Sequence, residues 1–246
     1  MRLTAAGELL MAAAGNWQKD YARVQAQIAD LNGLRRGHVG IAIIDALSKG
    51  FVAEVLRAMR VEFPGITFTL KVLDNEKVAA AIAAGEVDFG ILLDPQFSRA
   101  LTVGAHLEVR LGFVTLAGHP LAAASSQRFS ACAGYPIVAP NQPLALCQQV
   151  RALEAATGTT LDRAMASDNI QMIKTMVSAG VGVGILTALD VAVEVESGDL
   201  AFTPISDAAV RPLTLALCQM PSRQLSSAGL RVLDRLETTF AALSRT

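Results

Sequence analysis

Cysteine is scarce: Cys132, Cys147 and Cys218 are the only three, odd in number and scattered, with no Cys-x-x-Cys. That pattern fits thiols kept reduced in a cytoplasm better than a disulfide framework. The three histidines, His38, His106 and His119, are far apart and have no i, i+4 partner or His-Glu-x-x-His frame, so no metal site is expected. Basic charge is thin as well. Twenty-one Lys and Arg stand against 22 Asp and Glu, for a formal net charge of −1, and no basic run occurs. This chain alone is a poor candidate for gripping nucleic acid, which needs a concentrated positive surface. No stretch reaches the ~18 to 20 uninterrupted apolar residues that span a bilayer. The start, Met1 to Glu8, has neither the unbroken apolar core nor the small-residue cleavage site of a secretory signal. There is no Gly-x-Ser-x-Gly elbow, and Ser48-Lys49 is not a Ser-x-x-Lys motif. No catalytic residue, cofactor or membrane contact is nominated, and the chain is not expected to be an enzyme.

What is present is apolar and ordered. Hydrophobic residues make up 52% and charged residues 17% of the 246, enough for one large or two small cored domains. The chain also nearly repeats itself. Asp74-Asn75-Glu76-Lys77-Val78 through Val87-Asp88-Phe89-Gly90-Ile91-Leu92 lines up without a gap on Asp168-Asn169-Ile170-Gln171-Met172 through Val181-Gly182-Val183-Gly184-Ile185-Leu186. Each copy reads as helix cap, amphipathic helix, glycine turn and buried strand. Two such units predict two similar α/β lobes, and paired lobes hold small molecules in the cleft between them.

Residues 1–36 differ from the rest. Leu10, Trp17, Val24 and Leu31 are spaced by seven, with Tyr21 and Ile28 between them. An a/d seam of that length predicts a linker helix that dimerises through Leu10, Trp17, Tyr21, Val24, Ile28 and Leu31. Gly33 and Gly37 stop it. A βαβαβ series follows: Val39–Ile44 as a strand covered on both faces, a helix from Phe51 to the Pro64-Gly65 stop, a strand from Ile66, a helix from Asn75 to Ala84, and a strand at Val87–Leu93. Further strands are expected at Val109–Ala117, Tyr135–Ala139, Val181–Leu186, Leu200–Ile205 and Leu213–Cys218. Helices are expected at Ala145–Thr157, Asn169–Ala179, Leu189–Val195 and, to close the chain, from Leu233 to Leu243. Each lobe is expected to be a small open sheet with right-handed crossovers.

Ligands of open α/β sheets sit at the carboxyl ends of strands, so the strand-to-helix turns are the candidate site. These turns are Asp45-Ala46-Leu47-Ser48-Lys49, Asp74-Asn75, Pro140-Asn141-Gln142-Pro143 and Asp168-Asn169. Unpaired N–H groups at helix starts favour polar acceptors on a ligand. Asn75 and Asn169 could equally do no more than cap their helices. Gly180-x-Gly182-x-Gly184 enters a strand from a helix, the reverse of a dinucleotide fingerprint, so its glycines are read as packing devices.

With these pieces placed, the chain resembles a LysR-type transcriptional regulator without its N-terminal winged helix-turn-helix. The resemblance rests on Leu3 to Leu10, Gly37-His38-Val39-Gly40-Ile41-Ala42, Phe63-Pro64-Gly65-Ile66, Ala84-Gly85-Glu86-Val87-Asp88-Phe89-Gly90-Ile91, Leu116-Ala117-Gly118-His119-Pro120-Leu121-Ala122 and Val177 to Leu186, all in family order. It implies a cytoplasmic regulator, with Met1 either the native start or a truncation point within a longer chain. The implied fold is α/β, two Rossmann-like subdomains of the periplasmic-binding-protein type 2, linked by two crossover strands and preceded by the linker helix. The implied division is 37–137 with 218–246, and 138–217. The implied effector contacts are Asp45, Ala46, Leu47, Ser48 and Asn75 from one lobe, and Asn141, Leu144, Ala145, Asn169 and Thr187 from the other. The implied partners are a small-molecule effector, with a small organic acid or neutral metabolite favoured by turns free of arginine, a second or further copies in a dimer or tetramer, and promoter DNA through the absent domain. Ala46 stands where the family often has a hydroxyl residue, and Thr187 where it usually has proline. A transport-type solute-binding protein, or an enzyme on the same lobes, is the competing reading. The first would need export, and the second convergent catalytic groups that the turns do not supply.

Overall fold

The apolar run after Gly37 becomes β1 (Gly37–Ile44), whose last six residues are all buried. In the computed structural model the described residues are 37–48, 50–95, 101–208, 210–221 and 223–244, with positions 4, 6, 7, 10 and 14 before them. Leu10 is helical and 65% exposed. The other expected seam residues, Trp17, Tyr21, Val24, Ile28 and Leu31, lie outside the described residues.

After β1 come α1 (Phe51–Glu62), β2 (Ile66–Leu73), α2 (Asn75–Ala83), β3 (Phe89–Leu93), β4 (Thr102–Val109) and β5 (Leu111–Leu116). The chain continues through β6 (Pro136–Pro140), α3 (Ala145–Thr157), β7 (Asp162–Ser167), α4 (Ile170–Ser178), β8 (Val183–Thr187), α5 (Ala192–Glu196), β9 (Leu200–Pro204), β10 (Leu213–Gln219) and α6 (Ser227–Leu243). The strands form two five-stranded sheets of the same plan, β2-β1-β3-β10-β4 and β7-β6-β8-β5-β9. Three strands of each are parallel, as βαβ units require, and the last two run antiparallel to their neighbours. The sheets are therefore mixed.

The strand exchange moves both expected divisions. β5 was expected with the first lobe, yet Phe113 pairs with Ile185 in the second sheet. β10 was expected mostly with the second lobe, yet Leu217 pairs with Ile91 in the first. The chain thus changes sheet at Arg110 and again between Pro204 and Leu213, not at 137/138 and 217/218. An apolar strand is buried in either sheet, and its composition does not say which partner it pairs with.

The internal repeat is real but slips by one residue. The Asp74 side chain caps α2 by accepting from Lys77 N–H, whereas in the second lobe the cap of α4 is Asn169, accepting from Met172 N–H. The helices correspond at an offset of 95 residues, through to Gly85 (φ +65°) and Gly180 (φ +75°), and the strands β3 and β8 at 94. The turn after Gly180 is one residue shorter and takes up the difference. The packing partners follow the slip. A Cβ on Gly90 would meet Val78 and Ile82 at 2.8 Å, the fourth and eighth residues of α2. One on Gly184 would meet Val177 at 3.0 Å and Ile173 at 3.6 Å, the eighth and fourth of α4. Gly182 lies closer still, with Pro136 O 2.3 Å from where its Cβ would be. The Gly180–Gly184 run is a packing device, with helix and neighbouring strand drawn onto the sheet.

α6 closes the first lobe, capped by Ser226, and Phe240 meets Phe51 of α1 edge-on at 5.6 Å. In the second lobe Phe113 and Phe129 stack at 6.4 Å. All three cysteines are buried and free, and burial pushes Cys132 and Cys218 up to about 11, so they pack as small hydrophobes.

Candidate functional site

Four strand-to-helix turns meet between the sheets. From the first lobe come Ile44-Asp45-Ala46 at the end of β1, Leu73-Asp74-Asn75 between β2 and α2, and Leu93 at the end of β3. From the second come Pro143 to Leu146 at the start of α3, Asp168 to Ile170 at the start of α4, and Asp190. They enclose a cavity of about 360 Å³, the size of a small metabolite.

The helix starts around this cavity are not equally free. At α2, Asp74 accepts from Lys77 N–H at 2.9 Å and pairs with its ammonium at 2.6 Å. Burial opposes the charge of Asp74, but the Lys77 contacts outweigh it and hold the carboxyl below its ordinary range. At α4, Ile170 N–H donates to Asp45 of the opposite lobe at 3.2 Å, and Asn169 Nδ2 reaches the same oxygen at 3.5 Å. The chain's own carboxylate therefore occupies the anion position at the start of α4. At α3 the N-cap is Leu144, which has no side-chain acceptor, so the first turn of this 13-residue helix carries no side-chain cap from it.

Of the expected contacts, the fold brings Asp45, Ala46, Asn75, Leu144, Ala145 and Asn169 to the cavity wall. Four others are elsewhere. Leu47 is 3% exposed, in the core, because the turn after β1 points it inward. Ser48 is exposed and outside the lining. Asn141 lines a separate pocket in the second lobe with Arg151, Glu154 and Arg163. Thr187 is buried behind the wall. Asn75 reaches the wall with its amide already engaged: Nδ2 donates to Leu93 O at 2.5 Å and Oδ1 accepts from Leu93 N–H at 2.9 Å. That pair ties the start of α2 to the end of β3.

Asp190 was missed by the sequence reading. It is 4% exposed yet lines the cavity. Thr187 donates to its Oδ2 through both N–H and hydroxyl at 2.7 Å, and accepts from Asp190 N–H at 3.3 Å. This is a reciprocal Thr-x-x-Asp turn, a pattern readable as Thr187-Ala188-Leu189-Asp190. Proline at 187 would remove the N–H that makes it. Burial pushes the Asp190 carboxyl up to about 6, against the Thr187 hydrogen bonds and the Lys174 charge, and the facing charge of Asp45 adds to the rise. Its other oxygen, Oδ1, has no hydrogen-bond partner among the described residues.

The LysR substrate-binding domain model matches residues 32–241, nearly the whole chain. The chain belongs to this family. It is the effector-binding region of a LysR-type regulator, with the family's two-lobed fold. Among curated relatives it is 25% identical over 234 residues to the HTH-type transcriptional activator CmpR of Synechocystis, covering 95% of this chain and 76% of that protein. It is also 25% identical to the RuBisCO operon transcriptional regulator of Acidithiobacillus ferrooxidans, covering 82% of this chain and 65% of that one. The LysR region described here thus spans about two thirds to three quarters of these relatives. The Synechocystis PCC6803 CcmR regulatory domain in complex with 2-PG superposes with a TM-score of 0.71 at 21% identity, over 83% of this chain and 98% of that one. At that identity the likeness speaks for the fold.

Proposed function

We propose that this chain is the sensing region of a LysR-type regulator, binding a small-molecule effector in the cleft between its lobes. The observation that carries this reading is the convergence of four strand-to-helix turns, two from each lobe, on one cavity of about 360 Å³. Ala46, Leu144, Ala145 and the Asn75 and Asn169 turns form its wall. We assign the effector to the small organic acids. The first turn of α3 offers N–H groups without a side-chain cap from Leu144, the kind of donor a carboxylate takes. Leu47, Ser48, Asn141 and Thr187 act behind or beside the wall.

Around that site we place the rest of the regulator. Effector closing the cleft would rotate one lobe against the other, by no more than its difference in affinity for the open and closed forms allows. Leu10, Trp17, Tyr21, Val24, Ile28 and Leu31 would pair the linker helices of a homodimer or homotetramer. Promoter DNA would be bound by a segment that this chain does not include. Among the described residues no helix is long and apolar enough to cross a membrane. We place the protein in the cytoplasm and give it no catalytic role.

A thermal-shift screen of metabolites on this chain tests the reading. A ligand at 100 times its Kd adds about 2.7 kcal/mol and should raise Tm by about 5 to 10 °C. Ala46→Trp, which fills the cleft from its wall, should abolish every true hit. Hits that survive Ala46→Trp would put binding elsewhere and overturn the assignment.

A further inference from the structure

The cavity wall is strongly acidic. Its described lining holds Asp45, Asp74, Asp168 and Asp190, with Lys77 as its one cation, and Lys77 is committed to Asp74 at 2.6 Å. A simple anion would meet repulsion over most of this surface. One anion position, at the start of α4, is already filled by Asp45.

Asp190 is the telling member. Its side chain is 96% buried by the residue's 4% exposure, it lines the cavity, and Oδ1 finds no partner among the described residues. A buried carboxylate oxygen left unsatisfied costs about 1–3 kcal/mol or more, so such atoms are kept for a purpose or a partner. Thr187 fixes the carboxylate through Oδ2 with two hydrogen bonds at 2.7 Å, which turns Oδ1 into a held acceptor, not a floating one. Across the cleft Asp45 is held more loosely, one oxygen accepting from Ile170 N–H at 3.2 Å and from Asn169 Nδ2 at 3.5 Å. Behind Asp190 the Lys174 ammonium donates to the Asp190 carbonyl and to Glu194, each at 2.8 Å, and is committed there, so the side of the two carboxylates that borders the cavity is left to a positive donor from the ligand. A hard metal cation would want six or more oxygens, and no cluster of three His, Cys, Asp or Glu exists among the described residues to supply them. An ammonium needs only the two carboxylates and the wall's remaining acceptors.

We propose that Asp190 and Asp45 form a subsite for a protonated amine, so that the effector is an amino-substituted small organic acid. This rests on the cleft reading given above and narrows its ligand class. The carboxylate goes to the first turn of α3 and the ammonium to the Asp190–Asp45 corner.

The test uses matched probes on this chain: L-alanine, 4-aminobutanoate and 5-aminopentanoate against propanoate, butanoate and pentanoate, by thermal shift and calorimetry at pH 7.5 and constant ionic strength. At least one amino acid should bind 10-fold or more tightly than its des-amino partner. Asp190→Asn, which keeps the acceptor towards Thr187 but removes the charge, should erase that preference without lowering the Tm of the free protein. If the des-amino acids bind as well as their partners and Ala46→Trp abolishes both, the cleft is a sensor of anions and the amine subsite is overturned. If the preference survives Asp190→Asn, the subsite is likewise overturned. If no probe of either set binds at about 10 mM, ten times a Kd of about 1 mM, the amine subsite is overturned, while the cleft reading is decided separately by whether the metabolite screen gives hits that Ala46→Trp abolishes.

Discussion

The Asp45 carboxylate accepts a hydrogen bond at 3.2 Å from the backbone N–H of Ile170, 125 residues further on and in the other lobe. A side chain from the turn after β1 in the first lobe thus bonds the start of α4 in the second, beside its cap Asn169. The contact joins the lobes across the effector cleft and complements the partial positive charge at the start of α4.

Removing that bridge should loosen the lobes. Asp45→Ala frees Ile170 N–H and Asn169 Nδ2 to solvent, at a cost of about 1 kcal/mol for a charge-assisted contact of this exposure. For a chain of this size that lowers Tm by about 2 to 4 °C. Small-angle scattering should report a larger radius of gyration than the parent. An unchanged Tm and radius would show that the lobes are held by the crossover strands alone.

Stability should depend on pH through Asp190. Its folded pKa, about 6, lies above the ordinary carboxyl value of 3.8, chiefly through burial, so the folded state holds this proton more tightly than the unfolded chain does. The sign follows: the contribution is complete below about pH 4 and is lost as pH rises through 6. A rise of that size corresponds to about 3 kcal/mol. Asp190→Asn removes the charge, so its Tm advantage over the parent should grow from pH 5 to pH 7.5. Parallel Tm curves for the two proteins would contradict this.

Asp88 anchors the closing segment. It accepts from Gly40 N–H at 2.8 Å and from Arg223 at 2.8 Å, while Arg223 also donates to the carbonyls of Gly85 and Val87. Asp88→Ala leaves a β1 amide and a partly buried guanidinium short of an acceptor, so urea denaturation should show a loss of about 2 to 3 kcal/mol. With Arg223→Ala added, the losses should be clearly less than additive.

Gly182 admits no side chain. A Cβ there would lie 2.3 Å from Pro136 O, a backbone atom that cannot swing away, so β6 must shift. Gly182→Ala should cost about 1 to 3 kcal/mol in urea denaturation and should raise hydrogen exchange in β6 and β8 more than in β1. Exchange rising equally in both sheets would argue against a local clash.

Much of this architecture was legible because burial leaves a pattern. The buried run of β1, the helix stopped by Pro64-Gly65 and the glycine turns at Gly85 and Gly180 all appear where the residues indicate. Two strands, β4 and β7, left no such signal. Both are sheet edges, with one hydrogen-bonded neighbour each and mostly exposed or half-exposed residues, and Asp162-Arg-Ala-Met-Ala-Ser has no β-branched residue. The repeat was visible, but a gapless match hid the one-residue slip, because Asp and Asn cap helices equally well. That slip is why Asn75 and Asn169 do different work: one ties α2 to β3, while the other caps α4 and meets Asp45. Asp190 went unread because its meaning depends on Asp45, which only the tertiary fold places opposite.

The exchange of strands sets an order of assembly. All five strands of the second sheet lie between residues 111 and 204, whereas β4 of the first sheet pairs only with β10, at 213–219. A chain emerging from the ribosome can complete its second lobe while the first still lacks the strand that joins β3 to β4. This inverts the usual N-terminal-first sequence. Nascent chains stalled with residue 210 just exposed should resist protease across 111–204 and be cut within 37–109, and protection of the first lobe at that length would refute the order.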